Sequence, residues 1–280
     1  MSSFASETAK TGLIAELRSR IAGLEASRPP LENRGAEPCA ISSGARAIDA
    51  GLPGGGLAAH GLHELRAASY RDMSASIGFA VAMAVRCAKT FPDAPVLWCE
   101  NTRAPFDMGR LYGPGLVAFG LDPARLVLVA PANDVDLLWT MEEALRLGAF
   151  AAVVGEIDGR AHTLSLTATR RLQLAAEENA RPAFLLTGHA SMGASAATTR
   201  WCIASAASAS AEGVAGLAPF IGRARWQLRL EKCRGLLSDA AISGFERDCC
   251  VEWNVEDRKF DDVFEAEAQG LDVPHVLQAV

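Results

Sequence analysis

From residue 62 to residue 187 the chain alternates short apolar runs with longer segments of helical periodicity. Short apolar runs are typical of buried strands, and apolar residues three or four apart are typical of helices that cover a sheet. Parallel strands need such a crossover between them, so the alternation predicts an α/β fold with a mostly parallel sheet flanked by helices. The predicted strands are residues 62–65, 96–99, 126–130, 151–155 and 183–187, and the predicted helices are residues 74–90, 106–119, 134–147 and 164–179.

An amphipathic pattern precedes this alternation. Four apolar residues recur at helical spacing until Pro29 and Pro30 end the pattern, which predicts an N-terminal helix and linker over residues 1–30. The helix either lies on its own domain or docks on another subunit. Its apolar residues are Leu13, Leu17, Ile21 and Leu24.

After residue 187 the pattern changes. Residues 188–211 are rich in Ala, Ser and Gly, and we expect them to be mostly solvated connection. Residues 225–232 and 249–255 have the pattern of strands and predict a C-terminal antiparallel hairpin. We therefore expect a core over residues 31–255. Residues 256–280 form an acidic tail, which is either a short helix that binds a basic groove or a frayed end.

Composition narrows the class of protein. The 280 residues are 50% hydrophobic and 21% charged, which suits one core with appendages. There is no secretory pattern at the N-terminus and no apolar run near the ~20 residues of a membrane span, so we expect a soluble, cytoplasmic protein without membrane contact. A net charge of −6 argues against a protein whose main task is to coat nucleic acid.

Residues 66–74 lie where a nucleotide-binding fold places its phosphate loop. Such a loop needs G-x-x-x-x-G-K-[ST], because backbone amides surround the phosphates, a lysine neutralises them and a hydroxyl reaches magnesium. Here Ala67 and Asp72 occupy the glycine positions, Met73 occupies the lysine position, and Ser74 alone keeps its hydroxyl. Asp72 would repel a polyphosphate, so we expect no nucleotide cofactor.

The carboxylates of a nucleotide hydrolase are also incomplete. Glu100 follows a predicted strand, where an α/β sheet places catalytic groups, and could activate a water. At the magnesium position the chain has Gly155, with Glu156 one step later on the opposite face of the strand. Glu100 is therefore expected to be a vestige, and the protein is not expected to be an enzyme. No metal site is expected either, since His60 and His63 lack a third ligand.

Four arginines near the predicted loops bear on nucleic-acid binding. They could steer a single strand, and Trp201 could stack a base. More often such arginines are solvated or pair with carboxylates, here for example Glu177 and Glu178, so we expect DNA binding to be weak or indirect. The four are Arg160, Arg170, Arg171 and Arg200.

From about Ile41 to Trp253 the order of these segments resembles the core of the RecA recombinases, and more closely the ImuA family of bacterial damage-induced mutagenesis cassettes. The resemblance rests on ISSGARAIDAGLPGGGL, VLWCENTRAPFD, LRLGAFAAVVGEIDG and FLLTGHA, and for ImuA on LPGGGLAAHGLHEL and ARWQLRLEKCRG. It implies a RecA-like fold in which Glu100 falls on the water-activating glutamate, Met73 on the phosphate-loop lysine, Ser74 on the metal-binding threonine and Gly155 on the magnesium aspartate.

The family also implies partners. ImuA-like proteins act with ImuB, an inactive Y-family polymerase relative, and with an error-prone C-family polymerase in translesion synthesis under the SOS response; the RecA recombinase is a further candidate. We expect the N-terminal helix and exposed C-terminal aromatics to carry these contacts. The aromatics are Trp226, Trp253, Phe260 and Phe264.

Two alternatives remain open at the level of sequence. SulA-like inhibitors of cell division also resemble a reduced RecA core and are SOS-linked. A divergent ATP-binding protein could hold nucleotide through Arg66, Arg71 and Ser74.

Overall fold

A computed structural model of the chain describes residues 40–100, 109–190, 193–209, 222–234 and 248–263. The strands are β1 (Ala40–Ile41), β2 (Leu57–Ala58), β3 (Leu62–Ala67), β4 (Val96–Cys99), β5 (Leu126–Val129), β6 (Ala152–Glu156), β7 (Ala183–Leu186), β8 (Thr199–Ala206), β9 (Arg225–Cys233), β10 (Asp248–Asn254) and β11 (Lys259–Asp262). The helices are α1 (Arg46–Asp49), α2 (Met73–Thr90), α3 (Gly113–Ala118), α4 (Asp134–Leu147) and α5 (Leu166–Asn179).

Nine of these strands form one mixed sheet in the order β11-β10-β9-β8-β3-β7-β6-β4-β5. The strands β8, β3, β7, β6, β4 and β5 run parallel to one another, and β9, β10 and β11 extend the sheet with antiparallel pairing. The α/β class, the mostly parallel sheet and the C-terminal antiparallel hairpin are confirmed. For each of the five predicted strands, the first and last residues lie within two residues of the observed ones.

Helices cover both faces of the sheet. On one face α2 packs against residues such as Trp98, Val154 and Trp201, and on the other α4 and α5 pack against residues such as Val153 and Leu185. The two sets alternate along β6, as expected for a strand buried on both faces. Within the described residues no helix is long and apolar enough to span a membrane.

The region predicted as solvated connection contains a central strand, so that prediction was wrong for residues 199–206. β8 lies between β3 and β9, and its Trp201 side chain is only 1% exposed. Trp201 and Ile203 face the core that contains α2. The small Ala and Ser residues after Ile203 do not show the alternation of period two by which a strand is predicted.

The predicted helix over residues 106–119 is shorter in the described part of the chain. Only Gly113–Ala118 is helical there, with Pro114 in its first turn, and residues 101–108 lie outside the described residues. Gly109 has a φ of +75°, a left-handed conformation that interrupts a helix. Proline favours the first turn of a helix, which fixes the start at this point.

The tail prediction was wrong at its beginning. Residues 259–262 form β11, which pairs with β10, so the sheet continues past the predicted core boundary at residue 255. The Asp262 carboxylate accepts the backbone N–H groups of Arg46 at 3.0 Å and Ala47 at 2.8 Å. It thereby caps α1, whose own N-cap residue, Ala45, makes no side-chain cap hydrogen bond.

The C-terminal aromatics are not exposed anchors. Trp226, Trp253 and Phe260 are buried. Trp226 and Phe260 pack against Phe79 of α2, with ring centroids 5.9 Å and 5.2 Å from that of Phe79, and Trp253 packs against Phe260 at 4.9 Å. Alternation along β9, β10 and β11 turns these side chains toward α2. Their predicted role in partner binding is therefore corrected. The other predicted contacts, Leu13, Leu17, Ile21, Leu24 and Phe264, lie outside the described residues.

Phe260→Ala is expected to lower the free energy of unfolding by about 3–5 kcal/mol, because it leaves a cavity among closely packed rings. Urea denaturation followed by circular dichroism measures the change. Leu174→Ala is the control, since Leu174 is 47% exposed on α5 and its loss should change stability by no more than about 0.5 kcal/mol. Equal losses in the two variants would contradict a buried aromatic cluster.

Candidate functional site

The turn between β3 and α2 is closed by the protein's own hydrogen bonds. Ala68 donates its N–H to the Ile203 carbonyl of β8 at 2.7 Å, and Ala67 donates to the Gly188 carbonyl at 2.8 Å. A single 3₁₀ turn, Tyr70–Asp72, then leads into α2. Two backbone donors at the start of this turn are thus bound to a neighbouring strand and loop rather than directed at a ligand.

Asp72 supplies a negative charge at this turn. One carboxylate oxygen accepts the N–H of Ser205 at 2.9 Å and its hydroxyl at 2.8 Å, and the other accepts the Ser69 hydroxyl at 2.6 Å. Burial opposes ionisation, but these hydrogen bonds outweigh it and hold the pKa of Asp72 below the usual value for an aspartate. The carboxylate therefore ties the β3–α2 turn to β8.

The next two residues point in different directions. Met73, at the lysine position, is buried in the core and presents no charge to a ligand. Ser74 is exposed and lines a cavity of about 420 Å³ at the carboxyl ends of β4 and β6. Among residues 67–74, Ser74 is the residue that lines this cavity.

Glu100 and Glu156 line this same cavity. Glu100 is 3% exposed; its Oε1 accepts the N–H of Leu111 at 3.0 Å, and its Oε2 has no hydrogen-bond partner among the described residues. Glu156 Oε1 accepts the indole N–H of Trp98 at 2.6 Å. Burial, reinforced by the negative charge of Glu100, raises the pKa of Glu156 to about 7.

The structure shows why Glu156, rather than Gly155, belongs to the site. A Cβ added to Gly155 would lie 2.3 Å from Met141 Sδ of α4, so this position faces the other side of the sheet and a side chain there would have to displace Met141. Glu156, one residue later, turns toward α2 and Ser74. The alternation along β6 was the available signal, since Val154 and Glu156 share a face.

Three of the four predicted DNA-contact arginines form ion pairs. Arg160 pairs with Asp158 at 2.9 Å, Arg171 pairs with Glu142 at 2.6 Å, and Arg200 pairs with the buried Glu64 at 2.8 Å. Arg170 is exposed on α5. The carboxylate partners differ from Glu177 and Glu178, and a DNA contact by these arginines stays a prediction.

Trp201 does not form a stacking platform, because it is buried and donates its indole N–H to Thr199 Oγ1 at 3.0 Å. Of the groups considered for divergent ATP binding, Arg66 forms an ion pair with Glu231, whereas Arg71 is exposed. The described part of the chain contains no group of three or more His, Cys, Asp or Glu side chains arranged to hold a metal ion.

His63 has a structural environment. It is buried, with Nδ1 2.8 Å from Thr199 Oγ1 and Nε2 2.9 Å from the Ala58 carbonyl. Burial lowers the pKa of His63 to about 4, so the ring is neutral and joins β2, β3 and β8.

The sequence is similar to Protein ImuA from two strains of Caulobacter vibrioides, NA1000 / CB15N and CB 15. In each comparison the identity is 34% over 206 residues, which cover 70% of this chain and 79% of the relative. No protein-family model matches the chain.

The structure is similar to the crystal structure of the RadB recombinase. The TM-score is 0.50 at 15% sequence identity, and the match covers 80% of this chain and 100% of that one. At this identity the likeness shows the fold alone, and it confirms a RecA-like core.

Asp72→Asn is expected to destabilise the protein by about 1–3 kcal/mol near neutral pH, because the amide accepts the Ser69 and Ser205 hydrogen bonds less strongly and with one oxygen fewer. The pKa of Asp72 is lowered in the fold, so its stabilisation is present above the unfolded pKa and is lost as the pH falls through the folded pKa. Urea denaturation across this range should therefore show the two proteins converging in acid. A constant difference would show that the charge is irrelevant.

Glu156→Gln is expected to remove a pH dependence of stability. Between pH 4.5 and about 7 the folded protein holds a proton at Glu156 that the unfolded chain releases, so wild-type stability falls as the pH rises through this window. Between acid and mildly alkaline pH, the free energy of unfolding of the variant should rise by about 3 kcal/mol relative to that of wild type. The exposed Glu143→Gln provides the control in the same denaturation series. Parallel curves for all three proteins would contradict a raised pKa.

Proposed function

The chain belongs to the ImuA family, and on that premise we propose that it is a non-catalytic accessory protein of SOS-induced, error-prone translesion DNA synthesis. Its proposed partners are an ImuB-like relative of the Y-family polymerases and an error-prone C-family polymerase, with the RecA recombinase as a further candidate. In this role a RecA-like core serves as a scaffold that joins partner proteins.

The contacts of Asp72 are the observation that carries the non-catalytic part of this proposal. A nucleotide would bring its phosphates to the β3–α2 turn, where the Asp72 carboxylate is held by Ser69 and Ser205. Two negative charges at one turn repel each other, and no lysine stands at position 73 to offset them. The magnesium position is glycine, which faces away from the cavity.

Glu100 keeps the position of a water-activating base without a phosphate site beside it. Its Oε1 accepts the N–H of Leu111, and the exposed Arg110 lies 3.9 Å from its Oε2. A general base acts only on a positioned substrate, so Glu100 supports no hydrolysis on its own.

The proposal is tested by affinity purification of the tagged protein from its host after DNA damage, with mass spectrometry of the proteins recovered. We expect an ImuB-like protein and an error-prone C-family polymerase, enriched over the same purification from undamaged cells. Recovery of the cell-division ring protein instead would reject the translesion role in favour of a division inhibitor.

The non-catalytic role is tested separately by titration with a fluorescent ATP analogue, with and without magnesium. We expect no saturable binding. Saturable binding that weakens in Arg71→Ala would overturn the non-catalytic role and establish a divergent nucleotide site, since Arg71 is the exposed cation nearest to the turn in sequence.

A further inference from the structure

The cavity lined by Glu100 and Glu156 also has apolar walls. It lies between α2 and residues 109–119, and Ile77, Val81, Leu116 and Phe119 provide much of its lining. A volume of about 420 Å³ is enough for one long side chain. The site therefore suits a ligand with an apolar stem and a polar head.

No buried cation of the described ranges lies beside the two carboxyl groups of the cavity. Among the described residues Arg110, which also lines the cavity, pairs with Glu100, but its Nε lies 3.9 Å from Glu100 Oε2, beyond hydrogen-bond distance, and its side chain is 63% exposed. Within the described part of the chain, Glu100 Oε2 is buried without a hydrogen-bond partner. Leaving a buried carboxylate oxygen unpaired is costly, so this atom favours a ligand that donates to it.

We propose that this cavity binds a basic side chain, arginine or lysine, of a partner protein. The aliphatic stem lies along Ile77, Val81 and Leu116, and the cationic head donates to Glu100 and Glu156. Basic side chains combine a hydrocarbon stem with a charged end, which matches the two parts of the cavity. The preference for a cation is inferred from the cavity alone. The inference that a partner protein supplies this cation rests on the proposed accessory role.

The glycine at position 115 offers a way to fill the cavity without removing its carboxylates. Gly115 lines the cavity, and a Cβ added there would meet only Tyr112 Cδ1, at 3.7 Å, an ordinary contact. Gly115 does not have a positive φ. Gly115→Leu is therefore compatible with the backbone while reducing the space for a ligand.

The test uses N-acetyl-arginine N-methylamide as the probe and N-acetyl-citrulline N-methylamide, its uncharged isostere, as the matched control. The NMR signal of the Trp98 indole N–H reports binding locally, because this group donates to Glu156 at 2.6 Å. We expect a saturable shift with the arginine probe and binding at least about tenfold weaker with citrulline, since charge-assisted hydrogen bonds are roughly twice as strong as neutral ones.

Variants distinguish binding in the cavity from a general effect of the protein's negative charge. Glu100→Gln combined with Glu156→Gln should abolish the response to the arginine probe, and Gly115→Leu should weaken it by about tenfold or more. Glu143→Gln combined with Glu178→Gln removes two exposed carboxylates elsewhere and should leave the response unchanged. Equal binding of the two probes, or a response that survives the Glu100 and Glu156 changes, would overturn the proposal. So would a shift produced by magnesium chloride with no response to arginine.

The same variants connect the cavity to the proposed function. Purification from damaged cells with the Glu100→Gln, Glu156→Gln protein should recover less of the translesion partners than wild type does. If the arginine probe fails to bind while wild-type recovery persists, the cavity proposal is rejected and the accessory role stands. If the probe binds while no translesion partner is recovered from wild type, the accessory role is rejected and the cation site stands.

Discussion

The Asp72 carboxylate accepts hydrogen bonds from Ser69 and from both the backbone and the side chain of Ser205, so the protein's own charge fills the turn at the carboxyl end of β3. A charge-assisted set of this kind is strong because the group is largely buried. It fixes the start of α2 against β8, a strand at the centre of the sheet. The position of α2 in turn places Ser74 and the wall of the cavity.

The aromatic residues of the C-terminal strands have a structural role. β9, β10 and β11 extend the sheet and turn Trp226, Trp253 and Phe260 onto α2. Both buried indole N–H groups have partners, since Trp226 donates to the Ala75 carbonyl at 2.8 Å and Trp253 donates to the Phe119 carbonyl at 3.2 Å. These buried aromatics pack against α2 and stabilise its position on the sheet.

In the proposed function, this RecA-like core has lost its nucleotide ligand and uses the cavity for another ligand. Glu100 and Glu156 lie at the strand ends where α/β sheets place functional groups, and the turn beside them holds the Asp72 carboxylate. Placing two carboxyl groups together in a buried cavity raises the free energy of the charged state. Proteins tolerate that arrangement where a ligand or a role compensates for it, which is why the cavity carries the cation-binding proposal.

The sequence by itself determined the alternating core, because strand and helix periodicities are local and most of the five predicted strands are short apolar runs. It also determined that the loop lacks its lysine and its glycines. Only the tertiary structure decided that β8 is central, that Phe260 is core, and that Glu156 rather than Gly155 faces the cavity. Those outcomes depend on contacts between residues far apart in the chain, such as Asp72 with Ser205 and Asp262 with Arg46, and a local pattern carries no information about such pairs.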